Sequence, residues 1–412
     1  MKVNRKSVVA FGALLVAGAL ALTGCGGSGS GGGSSAGGDK TTSSLTVWVD
    51  SNRAAAMKQV AADFKKDKGI TINLVVKDFG KIRDDFTAQV PTGKGPDITI
   101  GAHDWIGSFV KDGLVAPIEL GDSAAKFEKV AMSAVTYDSK VYGLPYAIEN
   151  IAILRNTALA DSTPATYDEM IAKGKAAGTK YPFLIGLDAA TGDAYHTYPF
   201  ETSFGGQVFA QNADGSYDAK KLTIGDESGQ KFATWLGAQG AAGIFNPGLT
   251  GDLAKAAFNA GEAPYFISGP WNLPDAEKAG IKVSVDPIPS AGGQEARPFA
   301  GVQAFFVNAK SKNTLAANEF LVNYLATPAV QTALYKAGGR PPALTESFQA
   351  AQSDPAVAGF AKVGANAVPM PSVPEMGSVW DDWGKSEVAI IKGADPASTW
   401  TTMAQAIQTK IG

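Results

Sequence analysis

Gly95-Pro96-Asp97-Ile98-Thr99-Ile100-Gly101-Ala102-His103-Asp104-Trp105-Ile106-Gly107 is the stretch from which the fold of this chain can be read. Ile98-Thr99-Ile100 is a β-branched run and reads as the end of a buried strand. A loop follows at once, with a carboxylate (Asp104) beside an indole (Trp105). In open α/β sheets, ligands collect beyond the carboxyl ends of the strands. An indole face covers the apolar C–H face of a pyranose ring, and a carboxylate accepts hydrogen bonds from vicinal hydroxyls. Asp104 and Trp105 therefore read as candidate ligand-binding residues. An exposed aspartate beside a half-buried core tryptophan is the plainer reading of the same pair.

Upstream, Leu45-Thr46-Val47-Trp48-Val49 is a short β-rich run, and Asp50-Ser51-Asn52 is turn and N-cap chemistry. Met57, Val60, Ala61 and Phe64 then recur at i, i+3, i+4 and i+7, the spacing of one helical face. Gly69 ends that helix, and residues 70–76 form the next strand. Ile82, Phe86 and Val90 share a face of a second helix over 81–89. Strand, helix, strand, helix, strand predicts βαβ units, a mostly parallel sheet and the α/β class.

Downstream, residues 137–143 read as a hairpin turning at Asp138-Ser139. Glu149 interrupts an otherwise apolar strand, so its carboxylate must face water, a partner such as Lys or Arg, or a ligand. Thr166 is an N-cap with Glu169 completing a capping box. Asp193-Ala194-Tyr195-His196 then sets aromatic side chains beside a carboxylate, with His196 equally readable as a surface histidine. Gly269-Pro270-Trp271 follows a strand, and residues 297–307 form a second apolar strand. Helices are expected around 315–326 and over 328–337, broken at Gly338-Gly339-Arg340-Pro341-Pro342. A further helix is expected within 355–367, an extended segment over 369–376, and a terminal helical region from Ser378. Trp380 and Trp383 start that region, and the spacing of three fits simple packing of Trp383.

A chain of 412 residues with 45% apolar content has room for two domains, and a formal charge of −3 does not point to nucleic acid. Lys2, Arg5 and Lys6 precede an apolar and small-residue run over 8–22, the layout of a secretory signal. Its loss removes three positive charges, so the formal charge of −3 becomes −6. Leu22-Thr23-Gly24-Cys25 resembles a bacterial lipobox, which implies cleavage before Cys25 and its lipidation. Cys25 is the only cysteine, so disulfides within the chain and a cysteine metal site are excluded. With only His103 and His196, a multi-histidine metal site is excluded too. Residues 26–44 are almost entirely Gly, Ser and Thr and read as a flexible tether of roughly 25 Å root-mean-square span.

The body resembles the extracellular solute-binding proteins of ABC importers, in their maltose/maltodextrin-binding branch. Its carriers are Leu45-Thr46-Val47-Trp48-Val49, Phe64-Lys65-Lys66-Asp67-Lys68-Gly69-Ile70, Thr92-Gly93-Lys94-Gly95-Pro96-Asp97-Ile98, Ala102-His103-Asp104 and Gly269-Pro270-Trp271. The resemblance implies a two-domain, periplasmic-binding-protein-like α/β fold with a ligand cleft between the domains and several hinge crossings. It divides the chain into a signal peptide (1–24), a lipidated Cys and tether (25–44), an N-terminal lobe (45–148 plus 304–340) and a C-terminal lobe (152–298 plus 345–412). Hinges are expected near 149–151, 299–303 and 338–344.

The resemblance also implies a sugar site of Arg53, Asp104, Trp105 and Glu149 from the first lobe, facing Asp193, Tyr195, His196, Trp271 and Trp380 from the second. Arg53 is carried over by position and charge alone. Asp381 and Gly384 stand where the family has Tyr and Arg, so the polar surround of Trp380 differs. The implied partners are an oligosaccharide, the transmembrane subunits of an ABC permease and a lipid anchor, with no nucleic acid. The protein is expected to be a monomer, held by its lipid at the outer face of the bacterial cytoplasmic membrane. No catalytic residue, metal or cofactor is expected. A secreted glycoside hydrolase remains the rival, because such enzymes also combine tryptophan platforms with paired carboxylates. A binder of trehalose or cyclodextrin is the nearer alternative.

Overall fold

Leu45, Val47, Trp48 and Val49 are all buried, which sets strand Ser44–Val49 inside a sheet rather than at its edge. It pairs in parallel with Thr71–Val76 on one side and Ile98–Ala102 on the other. The helix between the first two strands spans Ser51–Lys68. Asp50 caps it by accepting from Arg53 N at 3.0 Å, and Gly69 ends it at φ +72°. Met57, Val60 and Phe64 are buried as the spacing requires. The second helix, Phe79–Gln89, begins two residues before its expected start because Asp78 supplies the cap. The computed structural model describes residues 44–212 and 216–412. The signal segment, Cys25 and the tether up to residue 43 lie outside the described residues. Among the described residues no helix is long and apolar enough to cross a membrane.

The first sheet is mixed rather than mostly parallel. Phe299–Asn308 lies antiparallel beside Ile98–Ala102 and, on its other side, antiparallel to Gly143–Glu149. It is the strand by which the chain returns from the second half of the molecule, so it enters the sheet from the opposite end. The second sheet runs Val283–Asp286, Ala152–Asn156, Tyr265–Ser268, Leu184–Ile185. Ile153, Ile185 and Ile267 pack on one side of it, and Leu154, Leu184 and Phe266 join a separate cluster with Phe258 and Phe360 on the other. Alternating residues thus feed two layers of helices, giving two α/β lobes. Elsewhere most local readings hold, although the segment expected to be extended over 369–376 winds into a short helix at Pro374–Ser378. Asp138 and Ser139 take φ of 45° and 62° at the hairpin turn, and Thr166 and Glu169 form the capping box.

Only Asn150 and Ile151 separate Gly143–Glu149 of the first sheet from Ala152–Asn156 of the second. In register, Glu149 lies opposite Gly301, and Gln303 lies between Ala147 and Ala102. The two crossing strands and the loop after Ala102 therefore converge at one edge of the sheet.

The segment 338–344 departs from its expected path. It runs along the lobe boundary, where Ile148 N donates to Pro341 O at 2.9 Å, and Leu344 then bridges to Phe127 in the first lobe. Helix Thr345–Ala351 stays there too, with Ser347 Oγ donating to Pro328 O at 3.2 Å. A second-lobe restart at 345 is therefore too early, and helix Pro355–Gly364 is the first element to pack on the second sheet. After Val368–Pro369 the chain comes back across the first lobe, where Ser108 Oγ donates to Pro374 O. It rejoins the second lobe with helix Trp380–Ile391.

Candidate functional site

Two tryptophans reach the cleft by the same local device. Trp105 sits in a short turn, His103–Trp105, directly after strand Ile98–Ala102, and folds back over Gly101. A Cβ on Gly101 would lie 2.4 Å from its ring. Trp271 sits in the turn Pro270–Asn272 after strand Tyr265–Ser268, and a Cβ on Gly269 would lie 2.0 Å from its ring. Glycine stands at both places, as the penultimate residue of the first strand and the residue after the second, because the indole occupies the space a side chain would fill.

Eight of the nine residues expected at the site line a single cavity of about 480 Å³; Arg53 is the exception. Trp105 is mostly core, packed on Phe79 at 5.3 Å and Phe109 at 5.9 Å between ring centroids, yet it borders the cavity. Asp104 is buried, not exposed. Burial pushes its carboxyl up to about 6, opposed by Arg83 nearby and by a hydrogen bond from Trp380. That bond, Trp380 Nε1 to Asp104 Oδ2 at 3.2 Å, joins the two lobes directly. Trp380 stacks on Trp383 at 5.6 Å and 13°, and Trp383 is wholly buried, as the packing reading requires.

Asp193 caps helix Ala194–Ser203. Its Oδ1 accepts from His196 N at 3.2 Å, and its Oδ2 lies 2.8 Å from His196 Nδ1. His196 is thereby turned edge-on to Trp271, with centroids 6.1 Å apart at 88°. The Tyr195 hydroxyl is buried without a protein partner, and burial raises it well above an ordinary phenol.

Glu149 satisfies two of its three open possibilities at once. It lines the cavity, and both of its oxygens are engaged within the protein. Oε1 accepts from Gln303 Nε2 at 2.7 Å, and Oε2 accepts from Arg340 Nε at 2.7 Å. Gln303 Oε1 accepts in turn from Arg53 Nη2 at 2.9 Å. The rest of the Arg53 guanidinium donates to the Tyr146 hydroxyl and to Asp50. Arg53 is thus a support beneath the cavity floor rather than a cleft wall. It belongs to the first turn of its helix, whose Asp50 cap draws the side chain inward. One of its expected places is filled by Arg340, which the sequence reading passed over; its guanidinium lies 5.4 Å from the Trp271 ring centroid. Gln303 was passed over too, although it carries the same signal as Glu149, a lone polar residue in an apolar strand.

His103 lies under this floor. Its Nδ1 accepts from Val302 N at 3.0 Å, so Nε2 carries the proton and donates to Met370 O at 3.1 Å. Burial lowers its imidazole to about 4, so it is neutral and structural.

The cavity opens into a second, more polar chamber of about 780 Å³, with Asp50, Asn52, Phe79, Asp193, His196 and Trp271 common to both. Charged residues bordering the first chamber are Asp50, Asp104, Glu149 and Asp193 against Arg83 and Arg340. That balance disfavours anions and suits a neutral, hydroxyl-rich ligand meeting acceptors on aromatic walls.

A two-lobed α/β body with an aromatic and carboxylate-lined cleft at the crossing strands defines a solute-binding protein. The chain belongs to the bacterial extracellular solute-binding protein family, whose profile matches residues 59–359. It is 29% identical to a galactooligosaccharide-binding protein of Bacillus subtilis, over 96% of this chain and 95% of that one. It is 26% identical to a maltooligosaccharide ABC transporter solute-binding lipoprotein of Streptococcus pneumoniae, over 96% and 94%. The structure of a Thermus thermophilus maltotriose-binding protein bound with maltotriose superposes with a TM-score of 0.81 at 30% identity, covering 89% of this chain and all of that one.

Proposed function

We propose that this chain captures maltose- or maltodextrin-type α-gluco-oligosaccharides between its lobes and delivers them to the transmembrane subunits of an ABC permease. The observation that carries this reading is the single cavity in which Trp271, Tyr195 and Trp380 offer apolar faces beside Asp104, Asp193 and Glu149. Sugar touching both lobes favours the closed form, because only closure makes both sets of contacts. Micromolar affinity corresponds to about −8 kcal/mol. A few stacked rings and charge-assisted hydrogen bonds supply that much.

The chain is a binder and not a hydrolase. A glycosidase needs one raised carboxylic acid and a second carboxylate free to act on the substrate or on water. Asp104 has the raised character, but Glu149 is engaged by Arg340 and Gln303, and Asp193 by its helix and His196, so neither is free for the second role. The galactooligosaccharide-binding relative favours a second reading in which the preferred sugar is a galactooligosaccharide. Calorimetry against maltose, maltotriose, trehalose, cyclodextrins and a galactooligosaccharide, with a reducing-sugar assay on the same samples, separates these cases. Saturable heat without turnover, strongest for maltotriose, is expected; sustained sugar release would overturn the binder.

The lipobox supports lipidation of Cys25 and tethering to the outer face of the cytoplasmic membrane, with the body acting as a monomer. Cys25→Ser should release the protein into the medium on cell fractionation. Retention with the membrane would refute the anchor.

A further inference from the structure

The floor of the cavity holds two hydrogen-bonding atoms that nothing in the protein satisfies: Arg340 Nη1 and Tyr195 Oη, both buried. Buried polar groups almost always find a partner, so two such atoms at one site call for a shared cause. Arg340 is 7% exposed, and its Nε is fixed by Glu149 Oε2. The Tyr195 hydroxyl lies 4.0 Å from the point where a Gly301 Cβ would stand, and Glu149 Cγ lies 3.6 Å from the same point. Arg340, Tyr195, Glu149 and Gly301 all line the one cavity, Arg340 from the 338–344 segment and Tyr195 from the helix capped by Asp193.

Resting on the reading above, we propose that Arg340 Nη1 and Tyr195 Oη close together on one hydroxyl oxygen of the oligosaccharide. Arg340 is then a specificity-determining residue. Its N–H donates to the sugar oxygen, while the Tyr195 hydroxyl donates to that oxygen or accepts its proton. Arginine suits the position because its planar fork spends Nε on Glu149 and still presents Nη1 in a fixed direction; a lysine ammonium has no such fork. The contact also reaches the lobe boundary. Arg340 lies on the 338–344 segment, Glu149 ends the first crossing strand, and Gln303, the other donor to Glu149, lies on the second. A sugar held by Arg340 thus bears on all three segments through one carboxylate. Because both atoms are buried where the lobes meet, the oxygen reaches them while the lobes stand apart and is enclosed as they close.

The test is a double-mutant cycle by calorimetry with maltotriose on the full chain, using Arg340→Lys and Tyr195→Phe. Lysine keeps a positive charge beside Glu149. Each single change is expected to weaken binding about tenfold, and the pair together much less than a hundredfold, because both act on one oxygen. Gly301→Ala is the independent check. Its methyl makes only ordinary contacts, so the melting temperature should stay near wild type, yet it fills the space beside the hydroxyl site and should also weaken binding about tenfold. Strictly multiplicative losses, as a purely structural Arg340 would give, overturn the proposal. So does full affinity in Tyr195→Phe or in Gly301→Ala, and these two still decide if Arg340→Lys does not fold. A wild-type protein that binds maltotriose while the variants behave in those ways refutes this site alone. A wild-type protein silent toward every oligosaccharide refutes the function on which it rests.

Discussion

Asp104 meets opposed demands from folding and from ligand. Its carboxyl is raised by burial from 3.8 to about 6, so the native state holds a proton that the unfolded chain has already lost. Stability from this group is therefore greatest below about pH 4 and falls as pH rises toward 6. Asp104→Asn removes that cost and should raise the melting temperature at pH 7 while leaving it unchanged at pH 4. The same variant should bind maltotriose at least about tenfold more weakly at pH 7, since a neutral amide replaces a charged acceptor. Wild-type affinity should decline below pH 6, and the variant should lack that slope in calorimetry. Glu387 behaves alike, away from the cleft. Burial raises it to about 8, beside Glu201, which burial and Glu387 raise as well. The native state keeps its proton up to that pH, so stability falls as pH climbs from 4.5 to 8. Glu387→Gln retains an acceptor for Thr197 Oγ1, now 2.7 Å away, and should gain several degrees at pH 8.5 and nothing at pH 4.5 in thermal melts. The position of Asp104 was legible in the sequence, but its burial was not, because Trp380 arrives from 276 residues further on.

At the scale of elements, the sequence was most legible where the physics is local. Asp50, Gly69, Thr166 and Glu169 announce helix ends because a cap is a contact between near neighbours. The mixed sheet was not legible, since strand direction depends on where Phe299–Asn308 comes from and not on its own residues. Gly338-Gly339-Arg340-Pro341-Pro342 shows both sides of this. The break itself was plain, and Gly339 does cap helix Pro328–Gly338 at φ +70°. Its arginine carries no local signal of its own, and its burial comes with long-range pairing to Glu149. Gly339 also lies so close to the opposite lobe that a Cβ would be 2.5 Å from Pro270 O. Gly339→Ala combines left-handed strain with that clash and should cost about 1–3 kcal/mol in denaturant unfolding. Because Pro270 precedes Trp271, maltotriose affinity should fall in the same variant.

For the whole molecule, the resemblance conveyed two lobes and a cleft, and eight of the nine residues it placed at the site do border one cavity. The path of the chain between lobes was beyond it, because 338–344 and the segment after Pro369 run along the boundary without committing to either side. A ligand that clamps the lobes stabilises the native state by mass action, by about 2.7 kcal/mol at a hundredfold excess over Kd. Trp271→Ala tests the clamp. Trp271 is only half-buried, so the unliganded melting temperature should barely change. The upward shift expected of the wild type with maltotriose should shrink sharply at the same concentration. An undiminished shift would remove Trp271 from the site.

The stacking of Trp380 on Trp383 has an optical consequence. Two nearly parallel indoles 5.6 Å apart share their ultraviolet transitions, and the outer one is tied to Asp104 across the cleft. Of the seven tryptophans in the chain, Trp105, Trp271 and Trp380 border the cavity, while Trp400 is fully shielded. The molecule therefore carries an unlabelled chromophore at its lobe contact. Parting the lobes should alter the near-ultraviolet circular dichroism and shift the emission maximum, so that the separation of the lobes can be followed by light on the native chain.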